Sequence, residues 1–479
     1  MLLKIMPALF ALEEAGGIPL FTGGFVRDRE LGIDSKDLDI EVYRLDIDKV
    51  IDVLSRFGDA HLVGKSFGVV KLRIGQDEFD FSLPRRDVKV AEGHRGFDVE
   101  FDPMMRLQDA CVRRDFTFNA MLLDPFTGEV FDFSEGRIDL HDKVIRHVSD
   151  EHFGGDPLRA LRAFQFAGRF DMELDPETAL LISKMVDDGA MNELPVERVW
   201  AEWEKWASRS IRPSLGLRAL KDSDVLRLYP EIGLLDGLPQ DKDHHPEGDA
   251  FQHTLFAVDA ARGIAVRDDL DDDMRIVLVM AALCHDFGKP ETTEFQDDGR
   301  VTTYGHDKAG VKPTEAFLAR IGAPSWVVDH VVPLVREHMV FRFKGTFKEK
   351  TYRRLALRIA PTTLRMLSRV MEADGSARPP RMREDPFPEL LEAAERLKVI
   401  DEAPEPLLKG RHLIEMGMKP GPAIGALIKS SFERQLDGKF ETVDDVKAWG
   451  ATIVCIFDQL NEAVDEDGNV VVNPILVKV

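Results

Sequence analysis

Gly23, Gly24, Asp37 and Asp39 have the types and the spacing for phosphoryl chemistry. The glycines close an apolar run, Ile18-Pro19-Leu20-Phe21, that reads as a strand. Without a Cβ, their backbone amides can approach a ligand closely, and successive amides at a turn that opens into a helix form a phosphate cradle. Arg27 lies one turn into that helix, within reach of the same phosphates. Asp37 and Asp39 alternate with Leu38 and Ile40, so both carboxylates leave one face of a second strand. Hard oxygen ligands facing such a cradle suit one or two Mg²⁺ ions. Taken singly, a Gly-Gly turn and an acidic strand edge are commonplace. Their strand–turn–helix–strand order joins them.

Further candidates follow. Asp80, in Phe79-Asp80-Phe81, is a third strand carboxylate, or a surface-facing one. Arg113-Arg114-Asp115 opens a nonamer ending Phe118-Asn119-Ala120-Met121, and guanidinium forks suit a triphosphate better than ammonium groups do. Asp156 reads as a helix N-cap with Pro157 at the first helical position. Arg159 and Arg162 share one face of that helix, away from the stripe Leu158, Leu161 and Phe164. Further on, His253, His285-Asp286, His306, His338 and Asp374 offer imidazole and carboxylate ligands of the mixed kind that suits Mg, Mn, Co, Ni or Zn.

These stretches together carry a resemblance. Gly23-Gly24-Phe25-Val26-Arg27-Asp28 with Lys36-Asp37-Leu38-Asp39-Ile40-Glu41-Val42-Tyr43 resembles the signature of the polymerase-β nucleotidyltransferase superfamily, and in detail its bacterial class II tRNA nucleotidyltransferase branch. The resemblance implies Asp37 and Asp39 as Mg²⁺ ligands, with Asp80 as the third catalytic carboxylate. It implies nucleotide contacts from Gly23, Gly24, Arg27, Arg114, Asp115 and Asn119. Asp156-Pro157-Leu158-Arg159-Ala160-Leu161-Arg162 is similar to the motif with which this family reads the incoming base. Gly155 stands where the family usually has Glu, which touches a secondary contact and leaves Asp156 and Arg159. The histidine set resembles the HD phosphohydrolase family. It implies His253, His285, Asp286 and Asp374 as ligands, with His306 and His338 added and Lys289 as the candidate catalytic residue.

The elements that must position these residues come in order. A helix from the N-terminus is expected under the first strand. The stretch Met1–Leu12 imitates a signal peptide, but Glu13 and Glu14 follow it without a cleavage site. A helix is expected over Asp46–Phe57, and strands over Gly68–Ile74 and Glu78–Leu83. Pro84 to Phe97 reads as a polar, basic loop. It stands where CCA-adding and A-adding relatives carry a mobile loop. Beyond Ser149 the texture is helical. Leu194–Trp206 reads as a structural neck motif, and Met418–Ala423 opens a tail helix near Lys429. Val470–Val479 looks strand-like, with no role assigned. The fold class is α+β: a nucleotidyltransferase head at 1–148, an all-helical neck at 149–225, an HD body at 226–395 and a tail at 396–479.

At 479 residues with 44% hydrophobic residues, the chain can fill several cores. A net charge of −23 gives no global attraction to RNA, so an RNA partner must meet local basic patches. The stretch 341–369, with nine Lys/Arg against Glu349, is one such patch or a solvated helix face. Cys111, Cys284 and Cys455 are scattered, which fits a reducing cytoplasm and argues against a disulfide framework or a thiolate zinc site. The longest apolar run, Ile276–Cys284, is nine residues and too short to span a bilayer. The expectation is a cytoplasmic enzyme that adds CCA to the tRNA 3′ end from CTP and ATP, with no membrane and no obligate protein partner. Mg²⁺ is expected at the head, and Ni, Mn, Co, Zn or Mg at the HD site, which is read as a phosphatase or 2′,3′-cyclic phosphodiesterase. Three rivals remain: a poly(A) or A-adding-only polymerase, an HD phosphohydrolase with an RNA-binding head, and a transferase acting on a protein or small molecule.

Overall fold

A computed structural model describes residues 2–35, 38–63, 68–89, 97–340, 347–380 and 388–462. Asp37, the tip of the basic loop at 90–96 and the last strand-like segment lie outside them. The chain divides into two compact units, residues 1–283 with 315–323, and residues 284–314 with 324–479.

The first unit opens with helix α1 (Leu2–Glu14). It buries Ile5, Ala8, Leu9 and Leu12 at helical spacing against β1 (Ile18–Thr22) and a later helix, α3, as the sequence leads one to expect. Helix α2 (Gly24–Glu30) follows β1 directly, then β2 (Asp39–Tyr43) and α3 (Ile47–Leu54). Asp46 caps α3 by accepting from the Lys49 amide at 2.8 Å. Strands β3 (Asp59–Val63), β4 (Val69–Ile74) and β5 (Asp77–Ser82) come next, then β6 (Arg85–Lys89), β7 (Phe97–Phe101), helix α4 (Leu107–Val112), β8 (Leu122–Leu123) and β9 (Val130–Phe131).

Seven strands form one sheet in the order β3-β4-β5-β2-β1-β8-β9. β2 runs parallel to β5 and antiparallel to β1, so Asp39 stands opposite Asp80 on one side and Thr22 on the other. Two expectations change. β3 is an added edge strand whose exposed residues show no alternation to read. The stretch read wholly as a loop supplies the first strand of an antiparallel ribbon, Arg85 opposite Phe101 through Lys89 opposite Phe97. Its pairing is through backbone groups, which a polar, basic sequence does not prevent.

Helices α5 (Gly136–Asp142) and α6 (Asp150–Phe153) lead to α7 (Leu158–Phe170), α8 (Pro176–Asp187), α9 (Val196–Arg209) and α10 (Pro213–Asp222). α7 starts one residue later than the sequence predicts, so Pro157 and not Asp156 is the N-cap; Asp156, one residue before it, still accepts from the Leu158 amide at 3.1 Å. Phe164, Trp203 and Trp206 bind α7 to α9 with ring centroids 4.5 to 5.4 Å apart. Such aromatic packing fixes the angle at which α7 leaves the head. Helices α11 (Pro230–Gly233), α12 (Ala250–Arg267) and α13 (Asp272–Cys284) follow, the first division falls at the end of α13, and residues 315–323 complete the unit.

The second unit is mainly helical, with a short antiparallel ribbon of Glu294–Phe295 and Val301–Thr302, one helix over Ser325–Glu337, another over Leu364–Ser376 and a C-terminal group. That group, Gly410–Glu415, Pro422–Leu436 and Val443–Glu462, shares a small core of Leu408, Leu413, Leu427, Val446 and Val454.

Candidate nucleotide and metal sites

Asp39 and Asp80 sit side by side on parallel neighbouring strands and line a cleft of about 230 Å³ with Thr22, Ser82, Arg85, Arg113 and Arg114. Lys71 Nζ lies 3.8 Å from Asp80 Oδ1 and partly balances it. Gly23 takes φ +64°, a conformation that side chains rarely adopt. A Cβ there would come within 3.3 Å of Arg114 Nη1 and 3.9 Å of Asp39 Oδ2, so a side chain at this position would crowd both groups.

Arg113 and Arg114 are held from below by Glu41, two residues beyond Asp39 on β2 and fully buried. Arg113 Nη2 donates to Glu41 Oε1 at 2.8 Å, and Arg114 Nη2 lies 3.6 Å from Oε2. Tyr43 donates to the same Oε2 at 2.8 Å, and burial together with this carboxylate pushes its phenol pKa up. Burial is the largest single influence and works against the charge of Arg114, but Glu41 and the other anionic or polar neighbours, Asp115 among them, together outweigh it and raise that pKa.

A second cleft of about 300 Å³ shares Arg85, Arg113 and Arg114 with the first and adds Asp115, Asp156, Leu158, Arg159, Arg162 and Arg198. The two form one trough from the strand carboxylates to the face of α7. Asp115 is 8% exposed; burial disfavours its charge, but Arg162, the Asn119 amide and the Phe116 N–H together hold its carboxyl below the usual range. Arg162 Nε donates to Asp115 Oδ2 at 2.6 Å, and Asn119 Nδ2 to Oδ1 at 3.1 Å. Arg27 continues this chain inward: it donates to Asn119 Oδ1 at 2.8 Å and to Asp28 Oδ1 at 2.6 and 2.8 Å. Its guanidinium also stacks 4.6 Å from the centre of Phe170. At 5% exposure, Arg27 ties α2 to the Arg-Arg-Asp segment and α7, and does not line the trough.

Asp156 Oδ2 accepts from Arg198 Nη2 at 2.9 Å. Arg159 donates from Nη1 to the His152 carbonyl at 2.6 Å and from Nη2 to the Arg113 carbonyl at 2.5 Å. Each of those nitrogens carries a second N–H, and each Asp156 oxygen a second lone-pair direction.

The histidine set divides between the units. His253 lies in the first, on α12, where its Nδ1 bonds Glu247 Oε1 at 2.6 Å. His245 Nδ1 bonds the same oxygen at 2.9 Å. Burial opposes the charge of Glu247, but the two imidazoles hold its carboxyl down at about 2. A carboxylate on Nδ1 fixes the ring and leaves Nε2 as the ligand atom.

In the second unit His285, Asp286, Lys289, His306 and His338 are all buried. His306 and His338 donate from Nδ1 to the carbonyls of Thr303 and Val335, each at 2.7 Å. Both Nε2 atoms are thereby left bare, 3.2 Å apart, and Asp286 Oδ1 lies 3.5 Å from that of His306. Burial, and the crowding of neighbouring imidazoles, push both pKa values down to about 4. Two unprotonated imidazole nitrogens converging with a carboxylate are a donor set for a divalent cation, and Asp286, His306 and His338 have ligand atoms within 4.8 Å of one another. Asp286 Oδ2 also pairs with Lys289 Nζ at 2.6 Å and with His285 Nε2 at 3.2 Å. Burial lowers the His285 pKa, but Asp286 and then Asp374 outweigh it. Asp374 itself takes a hydrogen bond from Arg378 at 2.6 Å. Gly288 makes the turn possible, since a Cβ there would lie 2.0 Å from the His306 carbonyl oxygen.

Among the predicted residues, the structure gathers Asp39, Asp80, Arg114, Asp115, Asp156, Arg159 and Arg162 on one trough, with Gly23 beside it and Asn119 beneath it. Gly24 starts α2, and Asp37 is outside the described residues. Sequence reading passed over Glu41, Arg85, Arg198 and Glu247. The alternation Asp37, Asp39, Glu41 was a signal for the first. The basic stretch 341–369 is largely paired where described: Arg354 with Glu433, Arg358 with Glu337 and Arg365 with Asp401, each at 2.8 or 2.9 Å. No helix among the described residues is long and apolar enough to cross a membrane.

Residues 20–146 match the poly A polymerase head domain family, and residues 250–368 the HD domain family. A "Multifunctional CCA protein" of Xanthomonas campestris is 35% identical over 365 residues, 74% of this chain and 84% of the relative. One from Pasteurella multocida is 33% identical over 364 residues, 74% of this chain and 83% of the relative. Among solved structures, a Bacillus stearothermophilus CCA-adding enzyme in complex with CTP superposes with TM-score 0.65 at 20% identity, covering 95% of this chain and 98% of that one. A Thermotoga maritima CCA-adding enzyme complexed with tRNA gives 0.57 at 19% identity, over 94% and 95%. At this distance the solved structures speak to the fold. The curated relatives carry the lineage: this chain belongs to the family of the multifunctional CCA proteins.

Proposed function

We infer that this protein adds CCA to the 3′ end of tRNA, taking CTP and ATP and releasing pyrophosphate, by metal-dependent nucleotidyl transfer. The observation that carries this reading is the single trough that joins Asp39 and Asp80 to Arg113 and Arg114, and these to Asp156, Arg159 and Arg162. We read residues 1–148 as the head, 149–225 as the neck, 226–395 as the HD body and 396–479 as the tail.

Asp39 and Asp80, with Asp37 of the sequence motif, are the residues that would hold Mg²⁺, and two acidic strand positions in Cα register suit it. When bound, such an ion polarises phosphoryl oxygens and lowers the pKa of an attacking hydroxyl. Arg113 and Arg114 supply cationic donors for the triphosphate, which counter charge as pyrophosphate departs. Asp115, buried and oriented by Arg162 and Asn119, sets the floor of the trough on the ribose side.

Base choice follows from donor and acceptor chemistry. Cytosine and adenine both present an exocyclic amino group, at N4 and N6. The Asp156 carboxylate accepts from that group, and Arg159 donates to the neighbouring ring acceptor. Uracil and guanine carry a carbonyl at the corresponding place, so acceptor would face acceptor. One site thereby serves both CTP and ATP.

In the second unit, Asp286, His306 and His338, with His285 and Asp374 beside them, would hold a divalent cation, and a metal there supplies Lewis-acid activation of water or phosphate. We read this site, with the candidate catalytic Lys289, as a phosphatase or 2′,3′-cyclic phosphodiesterase. The donor set suits Ni, Mn, Co or Zn as well as Mg.

The test offers purified protein a tRNA that lacks CCA, with each labelled nucleotide in turn. C must enter first and A only after it. Entry of A alone supports the poly(A) or A-adding rivals, and no entry at all supports an HD phosphohydrolase whose head only binds RNA.

A further inference from the structure

We propose that Glu41 is a positioning residue: it holds Arg113 and Arg114 in the trough and keeps them off the metal-binding carboxylates. The proposal rests on the nucleotidyl-transfer reading above and adds a residue to it.

Glu41 has no exposed surface, and three groups converge on it: Arg113 at 2.8 Å, Tyr43 at 2.8 Å and Arg114 at 3.6 Å. A buried carboxylate needs such partners, because an unpaired charge in the interior is costly. The charge count is what gives this cluster a purpose beyond packing. A single carboxylate shared by two guanidiniums orients both and leaves one positive charge in excess, directed at a cleft suited to a polyanion. Arg114 Nε is also buried without a hydrogen-bond partner among the described residues, so this guanidinium is not saturated by them.

The alternative partners are close. Arg113 and Arg114 line the same cleft as Asp39 and Asp80, and Arg114 Nη1 and Asp39 Oδ2 flank the same face of Gly23. A guanidinium released from Glu41 would be drawn toward those carboxylates as well as toward Asp115, which already acts on Arg114. It would then compete with Mg²⁺ for them and be lost to the triphosphate. Glu41 prevents this because it sits on the same strand as Asp39, one alternation further in, where its carboxylate draws both arginines away from the metal-binding end.

The test compares Glu41→Gln with wild type in the full chain. It reads KM and kcat for CTP and ATP on tRNA lacking CCA, the Mg²⁺ concentration at half-maximal rate, and the Kd of CTP by calorimetry. The expected result is a rise of about tenfold to a hundredfold in KM for both nucleotides, as for loss of a charged hydrogen bond. The Mg²⁺ requirement should rise with it, while the preference for C and A over U and G is kept. In an Arg113→Gln background the same change should cost several-fold less, because the residue it holds is gone. A purely structural role predicts additive losses and an unaltered Mg²⁺ requirement, and either result overturns the proposal. If Glu41→Gln fails to fold, Tyr43→Phe removes one of the three bonds and must raise KM in the same direction; an unchanged KM overturns the idea. CTP binding is read separately from transfer. A wild-type protein that binds CTP but adds nothing would defeat the functional reading and still leave the Kd of Glu41→Gln to decide this one.

Discussion

The two candidate sites solve opposite problems. The head trough is open, and its ligands are hard oxygens and guanidiniums. Asp80 is 44% exposed in its side chain, and Arg113 and Arg114 are 16% and 19% exposed. The histidine site of the second unit is closed: His285 and Asp286 are 1% exposed, His338 2% and His306 4%. An open trough suits a large anionic substrate that comes and goes, with its charge met by fixed cations. A buried set of bare imidazole nitrogens and one carboxylate suits a small cation that stays, since burial favours neutral imidazole and metal binding uses it. The chain thus carries two candidate sites with separate supports, and loss of either should leave the other intact.

The largest effect expected is at the head. Asp39→Ala should lower nucleotide addition by roughly 10³-fold or more, because charge stabilisation at the reacting phosphate is lost. Asp39 is exposed, so the thermal midpoint should hold. Hydrolysis at the second site should be untouched, and its loss in this variant would break the separation. The reciprocal change comes next. Asp286→Ala removes a metal donor and the counter-charge of Lys289, so metal content and any hydrolysis of phosphomonoesters or 2′,3′-cyclic phosphates should fall together while CCA addition continues. Wild type without hydrolysis in Mg, Mn, Co or Ni would remove the catalytic reading of that site and leave a structural one.

Within the trough, Asp156→Ala should admit UTP or GTP, shifting discrimination by about tenfold to a hundredfold in kcat/KM. An equal loss for all four nucleotides would mean that α7 only positions the neck. The smallest effect is on stability. Asp115→Asn should cost about 1–3 kcal/mol at neutral pH, the price of loosening a buried charged hydrogen-bond network. The sign with pH follows from its lowered pKa. A carboxyl held below its unfolded value stabilises the fold above that value, and the contribution fades as pH falls through the folded one. The gap between Asp115→Asn and wild type should therefore close in acid, and urea titrations at several pH values would measure it. A gap independent of pH would show that packing, not charge, is what Asp115 contributes.

Much of the head was legible because its chemistry lies in short runs. The glycine turn, the alternating carboxylates and the Arg-Arg-Asp segment each announce a local geometry, and the sheet brings Asp80 to Asp39 as a strand carboxylate should come. What stayed hidden was pairing over long sequence distance. Glu247 is a local exception: it lies two residues from His245 and six from His253, but the irregular segment before α12 has no helix or strand period from which those two bonds could be read. Arg198 looked like part of a structural neck motif until α9 set it against Asp156. Arg27 shows the converse. Its motif position promised a phosphate contact, yet Asp28, Asn119 and Phe170 occupy it inside the core. The basic patch also lost its simple meaning once Glu337, Asp401 and Glu433 arrived from elsewhere in the chain.

The most direct test of the account is the sequence of the product. A tRNA lacking CCA is incubated with wild-type protein, CTP and ATP, and the new 3′ ends are read one molecule at a time. Ends that stop at C-C-A, absent with Asp39→Ala and retained with Asp286→Ala, are the result predicted. A-tails of open length, or CCA ends that persist in Asp39→Ala, would contradict it.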